Sequence, residues 1–272
     1  MKWRNFFAIV AGCTVTSLMA VDAQAQSAFA GFYGQLSTGY ESNQLGSMSG
    51  SSNVTPYVKS DASDTAPSQN FGGAPLVLGL GHYWQANEKW LVGLGADYSA
   101  LKQTSSSFSL TSSNAPGSSA IAAGQTLSFN GASMQLSNRF NLFVTPAYAI
   151  DKDKLVYLKA GYSQVTTQYN RVSSVTKSFN GVSITNPAIG GSQSSNQGGY
   201  LLGLGYKQII TSGLYGFVEG NYMGYSAPSY TFTSTNAADI INGKTPINTR
   251  TVAQNFASLN TYQVLVGLGY AF

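Results

Sequence analysis

Six ionisable residues sit inside otherwise apolar, alternating stretches of this chain: Glu41, Asp97, Arg139, Lys159, Lys207 and Glu219. Acids and bases in such settings can do three kinds of work. Paired carboxylates can act as general acid and base. Charges along a narrow channel can select ions. Opposite charges can also neutralise one another and fill a protein interior, because a buried charge needs a partner. The acids here are scattered among the bases and form no dedicated pair, so no catalytic residues are expected. His82 is the only histidine. A hydrolytic Ser/His or Asp/His pair needs its imidazole beside a nucleophile or a water. By alternation His82 shares a face with Leu80 and Trp84, an interfacial setting that disfavours a hydrolase.

The single cysteine, Cys13, lies in an N-terminal leader. Lys2 and Arg4 form its basic start, Phe6 to Met19 its apolar run, and Ala23-Gln24-Ala25 a small-x-small cleavage site. Residues 1–25 therefore read as a secretory signal peptide and 26–272 as the working domain. Val10-Ala11-Gly12-Cys13 resembles a lipoprotein processing box, but the apolar run continues past it. Cleavage after Ala25 leaves no cysteine, hence no disulfide, thiolate site or cysteine nucleophile. With one histidine besides, no metal and no cofactor is expected.

The elements that position the six charges come from a period of two. Gly-Leu-Gly occurs four times, at 79–81, 93–95, 203–205 and 267–269. The last copy lies in a stretch ending at Phe272, whose alternate residues are Tyr262, Val264, Val266, Leu268, Tyr270 and Phe272. The opposite face is Gln263, Leu265, Gly267, Gly269 and Ala271. One face is apolar with aromatic ends and the other is small or polar, as in a strand between lipid and a crowded lumen. None of the four motifs has the third glycine of a dinucleotide fingerprint. The inward glycines are expected to make room for Tyr83, Arg139 and the lysines.

Eight such segments are readable, near 30–41, 74–85, 90–102, 132–149, 155–169, 199–209, 214–226 and the C-terminal stretch. Their apolar faces include Phe32 and Leu36, then Leu78 and Leu80, then Val92 and Leu94. Leu136, Phe140 and Leu142 follow, then Val156 and Leu158, Leu202 and Leu204, and Val218 and Tyr222. Short turns near 87–89, 151–154 and 211–213 alternate with four long Ser/Asn-rich stretches. Asn180-Gly181 is a hairpin signal inside one of these, with Asn130-Gly131 and Asn242-Gly243 as similar candidates. Trp84, Trp90, Tyr148, Tyr270 and Phe272 fall near the short turns. Tyr40, Tyr98, Tyr162, Tyr222 and Tyr262 fall near the long loops, which makes two aromatic girdles.

Composition agrees with this reading. Charged residues are only 9% of the chain, against 30 glycines and 17 tyrosines, where a soluble domain carries about 25%. No apolar run near 20 residues follows the leader, which excludes helical spans. A lipocalin-like soluble barrel would place its charges outside. The modest net charge of +4 has no basic cluster behind it and suggests no nucleic acid. The expected fold is all-β: an eight-stranded antiparallel transmembrane barrel with short periplasmic turns and four long extracellular loops.

With its leader, eight alternating segments and terminal Tyr262…Tyr270-Ala271-Phe272, the chain resembles the small outer-membrane β-barrels, the OmpA-like and Omp25-type porin-family surface proteins. The resemblance implies a Gram-negative outer membrane, with lipid and lipopolysaccharide around the barrel. It also implies recognition of the terminal strand and Phe272 by the barrel-assembly machinery. The expected role is non-enzymatic: envelope integrity and interaction of the loops with a surface ligand. The alternatives are a narrow, low-conductance pore filtered by Asp97, Arg139, Lys159, Lys207 and Glu219, and an outer-membrane hydrolase. Counting from the turns puts Lys159, Lys207 and Glu219 low in the lumen and Asp97, Arg139 and Glu41 higher. Lys207 and Glu219 are expected to pair across the 211–213 turn, and an ion-paired plug is preferred to a gate.

Overall fold

Alternation with period two makes strands, and strands with one apolar face need either a core or a lipid phase to bury it. The computed structural model describes residues 27–55, 58–114, 125–170, 172–187, 191–237 and 247–272. The leader and Asn242-Gly243 lie outside these residues. Seventeen strands follow in chain order: β1 (Gly31–Leu45), β2 (Met48–Thr55), β3 (Val58–Ala66), β4 (Gln69–Gly73), β5 (Leu76–Gln85) and β6 (Trp90–Ser99). Then come β7 (Gln103–Thr104), β8 (Phe108–Asn114), β9 (Gln125–Asp151), β10 (Lys154–Asn170), β11 (Ser174–Phe179) and β12 (Val182–Pro187). The last are β13 (Ser192–Thr211), β14 (Leu214–Tyr225), β15 (Ser229–Ala237), β16 (Ile247–Phe256) and β17 (Leu259–Ala271).

Eight of them close a ring of antiparallel pairs, in the order β1–β5–β6–β9–β10–β13–β14–β17 and back to β1. These eight are the segments the alternation marks. Closure joins Tyr33 to Ala271 and Leu45 to Leu259 along the whole length of β1. The backbone N–H of Phe272 adds a bond to the carbonyl of Phe32 at 2.9 Å.

The long Ser/Asn-rich stretches are built as well. β9, β10 and β13 run for 27, 17 and 20 residues, where about 9–11 cross a bilayer. Above the ring β9 continues into a second sheet in the order β12–β11–β9–β8–β3–β2–β16–β15. Asn180 and Gly181, at φ 49° and 80°, form the tight turn between β11 and β12. Asn130-Gly131 does not form a hairpin. It lies inside β9, with Gly131 at φ 86°, where the pairing to β8 shifts register.

A second irregularity in β9 matters more. Asn138 has φ 50°, and the pairing with β10 slips between Gln164 and Thr166. Below this bulge the odd-numbered residues from Arg139 to Ala149 point inward, whereas above it Ala132, Met134 and Leu136 do. Leu136, expected on the outer face with Phe140, is therefore buried. One extra residue in a strand moves every side chain beyond it to the other face.

Six of the eight inward glycines of these motifs face aromatic rings, Gly79 and Gly203 face Gln35 and Asn221, and none faces Arg139 or a lysine. A methyl on Gly205 would stand 2.3 Å from the Tyr157 ring, one on Gly269 2.3 Å from Tyr215, and one on Gly93 2.7 Å from Tyr83. An eight-stranded ring is just wide enough for its own side chains, so each large ring needs an absent side chain opposite. Tyr157 cannot swing away, because its hydroxyl donates to Glu219 at 2.7 Å. Gly205→Ala is accordingly expected to lower stability by about 1–3 kcal/mol, the usual cost of overpacking. Gly220→Ala, where nothing lies within 4 Å, is the matched control. Urea midpoints of the two variants in lipid vesicles check this, and equal midpoints would count against a close-packed lumen.

Candidate functional site

The interior of the ring is filled in layers. At the turn end, residues 27–30 fold back into the mouth: the N–H of Ala28 reaches the carbonyl of Lys152 at 3.3 Å, and that of Ser27 reaches Gln85 Oε1 at 3.0 Å. This places Phe29, only 2% exposed, edge-on to Tyr215 at 5.8 Å. Leu91, Ala147, Leu155, Tyr83 and Phe217 complete an apolar floor.

Lys207 stands in this floor. Its ammonium lies 4.1 Å from the ring centroid of Tyr33, 4.8 Å from Tyr215, 5.1 Å from Tyr83 and 5.3 Å from Tyr157. It donates to Gln35 Oε1 at 3.2 Å. It does not pair with Glu219, contrary to expectation, and register explains why. Lys207 is level with Phe217, while Glu219 is level with Gly205, one inward position higher. The Tyr157 ring occupies the space over Gly205. Ring quadrupoles, rather than a carboxylate, face the cation.

The middle layer belongs to Lys159. Its ammonium donates to Asp97 Oδ2 at 2.7 Å and to Glu219 Oε1 at 2.9 Å, and sits over the Phe143 ring, 4.1 Å from its centroid. Asn221 Nδ2 donates to Glu219 at 2.7 Å, and Asn141 Nδ2 donates to Asp97. Asp97 thus belongs with Lys159 rather than with Arg139. The long stem of Lys159 reaches upward along the lumen, and counting residues from the turns does not register that reach.

Above this, the Arg139 guanidinium forks onto Glu41, with Nη2 at 2.9 Å from Oε1 and Nη1 paired to Oε2. Such bidentate pairs are the strong ones. Arg139 Nε donates to the Tyr225 hydroxyl at 2.9 Å; Gln263 and Asn43 donate to Glu41 at 2.7 and 2.9 Å. A second apolar layer closes the top, from Leu45, Met134, Leu136, Val165, Tyr169 and Phe256. Within this layer the Tyr230 hydroxyl donates to Thr167 at 2.6 Å, and burial pushes its phenol up to about 12.

All six charged residues are inside and buried. Three acids offset three bases, but in two networks and one aromatic cage. The neutral partners were legible in part. Glu41-x-Asn43, Arg139-x-Asn141 and Glu219-x-Asn221 each put an amide two residues after a charge, on the same face. Tyr157 and Tyr225 carry no such signal. Among the described residues no group of three His, Cys, Asp or Glu side chains could hold a metal ion.

Outside, the ring is the reverse of a soluble protein. Leu80, Leu204, Leu158 and Val264 are 62–67% exposed, and no ionisable side chain other than His82 interrupts the band between the girdles. The chain is a transmembrane β-barrel. Trp84, Trp90 and Tyr270 mark its turn side; Tyr40, Tyr98, Tyr162 and Tyr262 mark its loop side. Tyr262, Val264, Val266, Leu268 and Tyr270 of β17 and the terminal Phe272 all face outward. His82 packs in the same band against Phe32 and Trp84, with ring centroids 4.5 Å apart in each case.

No protein-family model and no curated protein matches the chain. Several solved outer-membrane barrels are similar in outline. The outer-membrane protease OmpT of Escherichia coli is 9% identical over 89% of this chain and 97% of its own, with a TM-score of 0.41. OprG of Pseudomonas aeruginosa is 13% identical over 90% and 98%, with a TM-score of 0.40. Ail of Yersinia pestis, solved with a heparin analogue, is 10% identical over 86% and 99%, with a TM-score of 0.32. At these values the likeness adds nothing to what the ring itself establishes, and it singles out neither the OmpA-like nor the Omp25-type label.

The ion pairs have a measurable signature. Removing one partner of a buried pair leaves an uncompensated charge and costs about 3–5 kcal/mol, whereas replacing both by apolar groups is often near neutral. Glu41→Ala is expected to cost that much stability. The double variant Glu41→Leu, Arg139→Met should recover most of it in the same urea titration.

Proposed function

We propose that this barrel serves a Gram-negative outer membrane as a non-conducting, non-enzymatic envelope protein, with interaction at its built extracellular wall. One observation carries the reading: the charged layer is closed by apolar side chains at both ends, Phe29 and Tyr215 below, Tyr169 and Phe256 above. A gate needs charges that face water. Those of Arg139 and Lys159 face their own counter-ions.

The upper sheet supports the second half. Its outer faces are ladders of hydroxyls and amides, such as Thr176 with Thr185 at 2.9 Å and Ser178 with Ser183 at 2.7 Å. A wall of this kind suits a hydrated polysaccharide zone such as lipopolysaccharide. At its tip Phe179, Val182 and Ile184 are exposed on the other face of the β11–β12 hairpin, a place for a surface partner. Recognition by the assembly machinery falls to the outward aromatic end of β17, Tyr270 and Phe272.

Single-channel recording in a planar bilayer tests the closed lumen. The refolded barrel is expected to stay silent. Discrete conductance that shifts in Lys159→Ala would hand the role to a narrow pore. Replacing 174–187 by a Gly-Ser linker should leave insertion intact and lower adherence of expressing cells; unchanged adherence would remove the loops from the role.

A further inference from the structure

Two features of the outer surface lie end to end, and neither belongs to the lumen. The first is a furrow of about 570 Å³ in the lipid-facing wall. Tyr148, Val156 and Tyr206 are in register in one row across three strands and form one bank, and Leu158 and Leu204, in register in the row above, form the other. The furrow begins at Trp90, beside the 87–89 turn, and reaches Gly220, where the space for a side chain is open. Gly220 stands six residues into β14 from its turn. At about 3.3 Å per residue and a tilt near 40°, that is a rise of about 15 Å, the hydrocarbon depth of one leaflet.

The second feature is a pocket of about 370 Å³ at the turn end, carrying Glu88, Lys89, Asp151 and Lys152. Lys89 joins the two, with its ammonium 5.9 Å from the Tyr148 ring. Among the described residues Glu88, Lys89 and Lys152 take part in no ion pair, while Asp151 shares Lys154 at 3.0 Å. Two ammonium groups and two carboxylates therefore face water, directly below an apolar furrow that is continuous with the lipid-facing band.

We propose that furrow and pocket form one site for a periplasmic-leaflet phospholipid whose headgroup carries both a phosphate and a primary ammonium. One acyl chain lies along the furrow from Trp90 to Gly220, with Tyr148 and Tyr206 on one bank and Leu158 and Leu204 on the other. The phosphate lies at Lys89 and Lys152, and the ammonium donates to Glu88 and Asp151. A purely anionic headgroup would meet two carboxylates as well as two lysines. A quaternary ammonium could not donate to the carboxylates at all. The furrow runs from rim to mid-bilayer, the direction in which a chain leaves its headgroup.

The test uses Trp90, which lines the furrow. In a Trp84→Phe background it is the only tryptophan beyond residue 26. The protein is purified from membranes and placed in phosphatidylcholine vesicles containing chain-brominated phosphatidylethanolamine, phosphatidylcholine or phosphatidylglycerol as quencher. Quenching by the ethanolamine lipid is expected to half-saturate at about a fivefold lower fraction than by the choline lipid, the scale of one charged side chain at a membrane surface. That preference should vanish in Glu88→Gln, Asp151→Asn, which removes the two carboxylates that tell a primary from a quaternary ammonium; both are exposed turn residues, and the ring stays intact. Equal quenching by all three lipids overturns the proposal. So does a preference for phosphatidylglycerol, which would mean the lysines act alone, and so does an ethanolamine preference that survives the double variant.

Discussion

No backbone N–H or C=O that crosses the hydrocarbon can be left without a partner, because there is no water to take its place. This one requirement closes β1 onto β17 from Tyr33–Ala271 to Leu45–Leu259. Here eight strands make the closed ring, and that number sets the width of the lumen. Everything inside follows from that width. Eight strands leave room for side chains and for little else, so the interior is a packing problem before it is a transport or binding problem.

The packing is solved by contrast of size. Glycines on one strand stand against tyrosine and phenylalanine rings from another, as Gly205 against Tyr157 and Gly269 against Tyr215. The rings form the floor, and their faces hold the Lys207 ammonium. Charges are confined to the middle, where Arg139 with Glu41 and Lys159 with Asp97 and Glu219 bind strands that are far apart in sequence. Such pairs fix register as well as charge, since sliding one strand by a residue would turn a buried ion toward lipid.

The outer surface is organised by depth instead. Aromatic residues sit at both water boundaries, aliphatic ones lie between them, and hydroxyl and amide ladders begin above. Strands of 17 to 27 residues carry the ring well past the membrane, so the long loops are a second wall rather than tethers. That wall stands on the loop side of the barrel. On the other side stand the charged turns at 87–89 and 151–154.

Period-two alternation determined the strands, the inward position of the six charges and the outward position of His82, because in a strand each residue's face follows from its neighbour's. It also marked the turns at 87–89, 151–154 and 211–213 and the hairpin at Asn180-Gly181. Amide partners such as Asn43 and Asn221 were within reach of the same rule. The tertiary structure alone decided which charge meets which. Lys207 lost Glu219 to Lys159 because β13 and β14 pair with Gly205, not Lys207, opposite the acid. It alone decided the face of Leu136, since the bulge at Asn138 reverses the alternation that any count along the chain assumes. Alternation is a local property of the backbone, whereas register and bulges are set by how neighbouring strands must slide to close a ring.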